Sequence, residues 1–283
     1  MPSFTDRLAD GWSRASEVTA LAAVPFVLSL SNVDAMAAVV SHDGFHVGFK
    51  LGLPVSVVTV WQFVDPPSTG VSVTTGLPAS APLAVLTLPL AALVHAVLGA
   101  GYFGRLAAHV TGRDRSFADG VRAHLRPFLV LVFFPYLAVL PLAGGALGFG
   151  AVDGALLALF ALALPVFAAA AYLFYAAPYL VALRDTGVVA ALRASYGLAV
   201  RGGPYLRYAL GFAAFVLVVS PFVSLVVVNV PGVGLLVGIA AGAYLGLVAN
   251  LTTMRFVADV DPATTPTLDR SGGATPSSSD DRQ

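Results

Sequence analysis

The stretch "YAAPYLVALRDTGVVAALRASYGLAVRGGPYLRYALGF", Tyr175 to Phe212, holds the three kinds of segment from which the chain is built. An apolar run closes with Pro178, Tyr179, Leu180 and Leu183. A charged turn, Arg184 and Asp185, comes next, then a short segment up to Arg201 and a second apolar run beyond Arg207. At 100° per residue, positions 0, 4, 8 and 11 of a helix fall on one stripe. Counted from Val188, these are Val188, Leu192, Tyr196 and Ala199, with Arg193 and Arg201 on the polar side. The order is therefore a membrane span, an amphipathic helix in the headgroup plane, and a second span.

Composition extends that reading to the whole chain. Only 11% of the 283 residues are charged and 58% are hydrophobic, whereas a soluble domain carries about a quarter charged residues. A helix crossing ~30 Å of hydrocarbon needs about twenty apolar residues. Six segments qualify: Val18 to Val40, Leu83 to Gly104, Pro127 to Gly150, Gly154 to Leu183, Tyr208 to Asn229 and Gly232 to Met254. A signal peptide at the start is disfavoured, because Arg7 and Arg14 are offset by Asp6, Asp10 and Glu17 where a positive n-region is required.

Fourteen arginines precede the first span, follow the sixth, or lie between the second and third and the fourth and fifth. Lys50 alone falls in the other loops. Positive charge near span ends stays in the cytoplasm, so six spans with both termini cytoplasmic are expected, in the cell (plasma) membrane. Residues 1–258 form the six-helix domain in this reading. Segment 41–82 is an extracytoplasmic insertion, and 259–283, polar and acidic, is a disordered cytoplasmic tail.

The same stripe recurs before the first and third spans. It comprises Phe4, Leu8, Trp12 and Ala15, then Phe117, Val121, Leu125 and Phe128, with Ser3 and Ser116 placed as N-caps. Phe4 to Phe117 is 113 residues and Phe117 to Val188 is 71; removing the 42-residue segment Ser41 to Pro82 makes the intervals equal. Three repeats of interfacial helix, span, turn and span are expected, the first carrying an outer insertion. Arg122, Arg126, Arg193 and Arg201 are the candidate contacts to anionic lipid headgroups, worth ~1 kcal/mol each.

Within the spans, Gly234, Gly238, Gly242 and Gly246 repeat every four residues. This spacing lets helix backbones approach closely, within the chain or across a dimer seam. Pro25, Pro89, Pro135, Pro165 and Pro221 interrupt the first five spans, as at transporter sites but also in ordinary membrane helices. His95 is ionisable and well inside a span, so it is a functional candidate. His95, Tyr136, Tyr172 and Tyr244 fall near one depth by residue count. They make either a hydrogen-bonded midplane layer or four separately satisfied aromatics.

The stretch "SHDGFHVGFK", Ser41 to Lys50, groups His42, Asp43 and His46. Gly44, Gly48 and Gly52 oppose a helix there, and the alternation of Phe45, Val47, Phe49, Leu51 and Leu53 with polar or small residues reads as an amphipathic strand in a small β-like cap. On a strand the two histidines would stand about 13 Å apart, too far to share a metal without a sharp bend. No metal and no cofactor is expected.

Other chemistry is excluded by what is missing. Without cysteine there is no disulfide, thiolate site or cysteine nucleophile. Lys50 follows Phe49, which rules out a phosphate loop, and no serine-hydrolase elbow, zincin or dinucleotide fingerprint occurs. The motif "DGVRAHLR", Asp119 to Arg126, lacks the arginine and the later aspartates of CDP-alcohol phosphotransferases. A net charge of zero gives no surface for nucleic acid.

The opening stretch, through Pro178, Tyr179, Leu180, Ala191, Leu192, Ser195, Leu198 and Arg201, resembles six-helix membrane proteins of archaea and bacteria. These are the YciC-like proteins and the membrane domain found beside glycerophosphodiester phosphodiesterases. The layout of the chain is similar to haloarchaeal members of that group. The resemblance covers about forty residues and implies an architecture, with no catalytic residues to transfer. The expectation is an all-α integral membrane protein, non-enzymatic, acting as a scaffold on membrane lipids or on another membrane protein. The alternative is a component of a small-solute or lipid transport system, and a membrane-embedded enzyme is the third reading. Transport requires a polar cavity reaching His95, whereas a scaffold requires a dry, packed bundle.

Overall fold

The computed structural model describes residues 2–67, 81–148, 154–230 and 232–264, with 81–88, 135–148 and 154–161 as helical backbone alone. Of the expected tail, 259–283, residues 265–283 lie outside them, whereas 259 and 260 end the last helix and Asp261 and Thr264 are buried. The described residues form ten α-helices: α1 (Phe4–Ala15), α2 (Ala23–Leu30), α3 (Val33–Val40), α4 (Ala81–Thr111), α5 (Phe117–Gly148), α6 (Gly154–Phe174), α7 (Ala177–Arg184), α8 (Val188–Arg201), α9 (Pro204–Asn229) and α10 (Val233–Val260). Among the described residues there is no strand.

Among the described residues, four helical segments are long and apolar enough to cross a membrane: Pro89–Thr111, Leu162–Arg184, Pro204–Asn229 and Val233–Val260. A fifth is added if the pair Phe4–Leu30 and Val33–Val40, bent by 70°, counts as one. Six straight spans were expected. The first is broken because α2 ends at Leu30 and Asn32 starts a new helix by accepting from the Ala35 amide (3.2 Å). The third falls on α5, whose side chains beyond residue 134 lie outside those described.

The three amphipathic segments differ in how they join their spans. Ser3 caps α1 reciprocally with Asp6 (Asp6 N to Ser3 Oγ, 3.2 Å; Ser3 N to Asp6 Oδ2, 3.0 Å). This capping box satisfies two amides, and α1 runs on through a 3-10 turn, kinked at Val18, into α2. Ser116 accepts from Asp119 N (3.1 Å), but the expected separate interfacial helix is instead the first part of α5, continuous into it. Only α8 is set apart from its span, by Gly202 and Gly203 at φ 63° and 55°.

In all three segments the residues at positions 7 and 11 from the start are buried: Gly11 and Ala15, His124 and Phe128, Ser195 and Ala199. The register relation between the repeats thus has a counterpart in burial, although the stripe is turned by one residue. Trp12 and Tyr196, at position 8, are about half exposed. These helices bury a narrow line into the bundle, and their amphipathic aromatics stand on the outer flank, where such residues suit a headgroup boundary.

The described ion pairs gather at one end of the bundle and bring its elements together there. Arg7 pairs with Asp259 (2.6 Å), and Arg255 with Asp10 (2.7 Å), so α1 lies beside the end of α10. Arg184 is bound to Asp261. Asp185 occupies a left-handed position after α7 (φ 49°) and accepts from Arg113 (2.7 Å), Arg115 (2.6 Å) and His124 Nε2 (2.9 Å). Burial works to raise the Asp185 carboxyl, but these donors outweigh it and hold it well below the usual carboxylate range. Burial depresses His124 despite Asp185. Its Nδ1 has no partner among the described residues, so a proton there would be stranded.

Candidate ligand cavity beside a re-entrant arm

The segment expected as an outer β-like cap instead enters the bundle. Its backbone groups can be traced inward along α9. His46 exchanges two bonds with Asn229 (2.8 and 2.7 Å), and Lys50 N donates to Ser220 Oγ (2.9 Å). Nine residues of helix separate these partners, about 13 Å. The arm then reaches α10, where Asn250 Oδ1 accepts from Val58 N (2.8 Å) and Nδ2 donates to Ser56 O (3.0 Å). The return arm is held by Ser29 and Ser224 through Val60 N and Asp65 N (3.4 Å each).

Extended backbone at this depth has no water to satisfy it, so helix side chains must. One of these serines stands at a proline-interrupted carbonyl. Pro221 has no amide for Leu217 O; Ser220 Oγ donates there instead (3.2 Å) and also receives the arm. Ser29 Oγ donates to Pro25 O (2.7 Å), and Ser29 O accepts Trp61 Nε1 (2.7 Å).

The expected period of two is present. Phe45, Phe49 and Leu51 are exposed on the outside, while Gly48 is buried and Lys50 half-buried on the inside. An apolar face turned outward suits lipid. The two arms lie so close that a side chain at Gly48 would strike Asp65 Cβ (2.5 Å), and one at Gly52 would strike the Gln62 amide.

The glycine series of α10 splits between two neighbours. Gly234 and Gly238 face Val226 and Val227 of α9, whereas Gly242 faces Val60 (2.6 Å from an ideal Cβ) and Gly246 faces the Val58 carbonyl. Small residues here admit both a helix and an extended chain. Asn250 continues that face into a tyrosine cluster, accepting from Tyr102 OH (3.3 Å) and donating to Tyr179 OH (2.7 Å). Tyr208 pairs with Thr253 (2.7 Å), and Tyr205 with Ser195 (3.2 Å).

A cavity of about 890 Å³ lies between the arm and helices α2, α4, α5, α6 and α8. Its polar wall carries Asn32, Lys50, Thr59, Gln62 and His95; its apolar wall carries Phe128, Phe134, Phe167 and Phe174. Phe134 is 71% exposed and Phe167 41%, so the apolar side opens to the surroundings of the bundle. Lys50 Nζ donates to Trp61 O (2.7 Å) and Val64 O (3.2 Å), which ties the arms together beside the cavity.

His95 Nδ1 lies 2.8 Å from Ala91 O. A carbonyl only accepts, so Nδ1 carries the proton and Nε2 is left as the acceptor. Tyr172 donates to Ala199 O (3.2 Å), and Tyr244 packs edge-on against Trp12 (5.4 Å). These three do not meet, and the Tyr136 side chain lies outside the described ones. Asn250 and Tyr102 were not singled out from sequence, and Tyr179 only as part of the pattern that closes its span. One amide inside an apolar run, and Tyr175 with Tyr179 at helical spacing, were the available signals.

Arg122 pairs with Asp119 (3.2 Å), whereas Arg126, Arg193 and Arg201 are exposed. His42 and His46, expected about 13 Å apart, have ring centroids 5.6 Å apart because Gly44 turns at φ 125°. Among the described residues no three metal-ligating side chains converge. No family model, no curated protein and no solved structure matches the chain.

Proposed function

We propose that this multi-pass protein takes up an amphiphilic ligand from the bilayer into the cavity beside the arm, as a component of a lipid or small-solute transport system. The observation that carries the reading is the cavity itself. It reaches His95, has one polar and one apolar wall, and opens on the apolar side. A scaffold needs no such volume. Cavities of 300–1,000 Å³ with a few polar groups on a mostly apolar lining are typical ligand sites.

In this proposal the arginine-rich end faces the cytoplasm, in keeping with the distribution of positive charge, and the membrane is the plasma membrane. Arg126, Arg193 and Arg201 meet anionic headgroups there. The chemistry is binding and passage without bond making, so the protein is no enzyme in this reading. The resemblance in layout to YciC-like proteins stands beside this proposal and supplies no residue roles.

The chain has no cysteine, so a single His95→Cys variant carries a unique thiol. Modification of that thiol by a small, membrane-permeant methanethiosulfonate in the folded protein is the expected result. A thiol that reacts only after unfolding would restore the dry scaffold.

A further inference from the structure

We infer that the cavity selects amphiphiles with a singly charged oxyanion headgroup, phosphate or carboxylate, and that Lys50 is the group that recognises it. This rests on the cavity being a ligand site.

Lys50 is the only lysine of the chain, and the described residues lining the cavity include no carboxylate. Its ammonium has three N–H groups. Two are directed to Trp61 O and Val64 O, which are neutral acceptors and bring no counter-charge into direct contact. Among the described residues no carboxylate lies within ion-pair distance of Nζ. Asp65 on the return arm attracts Lys50 from beyond that distance, while its backbone is held by Ser224 Oγ and the His46 ring.

A cation inside a membrane bundle is costly unless paired, and its counter-charge is the first thing to look for. Here the one counter-charge acting on it, Asp65, stands beyond ion-pair distance, and the third N–H remains for an anion in the cavity. His95 Nε2, on the same lining, is an acceptor for a headgroup hydroxyl or a bridging water. Gln62 and Asn32 add neutral polar groups, and the aromatic wall takes the chain. One cation matches one negative charge. Zwitterionic heads bring a second cation to a wall that has no partner for it.

Trp61 lines the cavity, and Trp12 is the only other tryptophan. In a Trp12→Phe background, Trp61 emission therefore reports what enters. The full-length protein is placed in nanodiscs with rising mole fractions of lipids brominated on their chains: phosphatidylglycerol, a fatty acid, or phosphatidylcholine. Saturating quenching is expected at a mole fraction about ten-fold lower for at least one anionic probe than for phosphatidylcholine. Which anionic probe leads identifies phosphate or carboxylate.

Lys50→Gln erases the preference and Lys50→Arg keeps it. Gln62→Glu provides a second route with Lys50 in place, since an internal carboxylate on the lining removes the preference as well. Equal saturation by anionic and zwitterionic probes, or a preference that survives both Lys50→Gln and Gln62→Glu, overturns the headgroup assignment and leaves the cavity reading standing. Quenching that only tracks bulk mole fraction, without saturation, overturns both.

Discussion

Helices α10 and α6 are both apolar enough to belong to membrane spans, yet they do opposite things. Helix α10 presents Gly242, Gly246 and Asn250 to an extended arm and is covered by it. Helix α6 presents Leu162, Leu164 and Val166, each more than 60% exposed. Hydropathy places a helix in the bilayer. Side-chain size and a single amide decide whether another part of the chain can come against it. In the absence of a hydrophobic drive between helices, close backbone approach and hydrogen bonds carry association. The cavity lies between these extremes, with a polar arm on one side and bulky apolar side chains on the other.

The strongest way to break the contrast is Asn250→Leu. It leaves Val58 N and Ser56 O without their partners, and Tyr102 and Tyr179 lose theirs. Each buried group so stranded costs about 1–3 kcal/mol, and a loss on the order of 4 kcal/mol is expected. Leu164→Ala on α6, changing an exposed side chain, stays within about 0.5 kcal/mol. Denaturant unfolding in detergent compares the two. Equal effects would dissolve the distinction between the faces.

The two faces were unequally legible in the sequence. The Ser3 and Ser116 caps and the glycine period arise from local rules that the structure obeys, and four of the six expected spans are helices long and apolar enough to cross a membrane. The arm does not, because alternation in Phe45 to Leu53 specifies period two and leaves open which side faces water. With lipid outside, the apolar side turned outward. Its partners were partly visible as Ser220 before Pro221, a hydroxyl beside the interrupted Leu217 carbonyl. The stripe of the interfacial helices is one residue off its expected place, since positions 8 and 11 are both apolar and only packing distinguishes Tyr196 from Ala199. The cavity was not legible at all, because it is formed by residues as distant as Lys50, His95 and Phe167.

A smaller effect sharpens the same comparison within one residue type. Gly246→Ala drives a methyl into the Val58 carbonyl, and overpacking of that kind costs about 1–3 kcal/mol. Gly197 on α8 has nothing within 4 Å of an added Cβ. Gly197→Ala is therefore expected to stabilise by about 0.5–1 kcal/mol through helix propensity. Opposite signs in thermal melts of the two variants are the expected outcome; a common sign would mean the arm yields as readily as open space.

The smallest expected effect separates the neutral network around Asn250 from the charged one at the arginine-rich end. Asp185 is held below its ordinary pKa, so its contribution is complete above about pH 4–5 and is lost as pH falls through the folded value. His124 is also depressed. Below about pH 6.5 the unfolded chain takes up a proton that the folded chain refuses, which again lowers stability towards acid. Asp185 is partly exposed, with 37% of its side chain accessible, and screening limits its share to about 1 kcal/mol. Asp185→Asn keeps a residue suited to the left-handed turn and removes the charge. The gap between parent and variant is expected to be full from pH 7 down to about pH 5, to begin narrowing below about pH 4, and to close only as pH falls through the folded value. In Asn250→Leu the gap should not vary over that range, since none of the groups it strands titrates there. A parallel pH course for the two variants would show that the two ends of the bundle unfold through one electrostatic event.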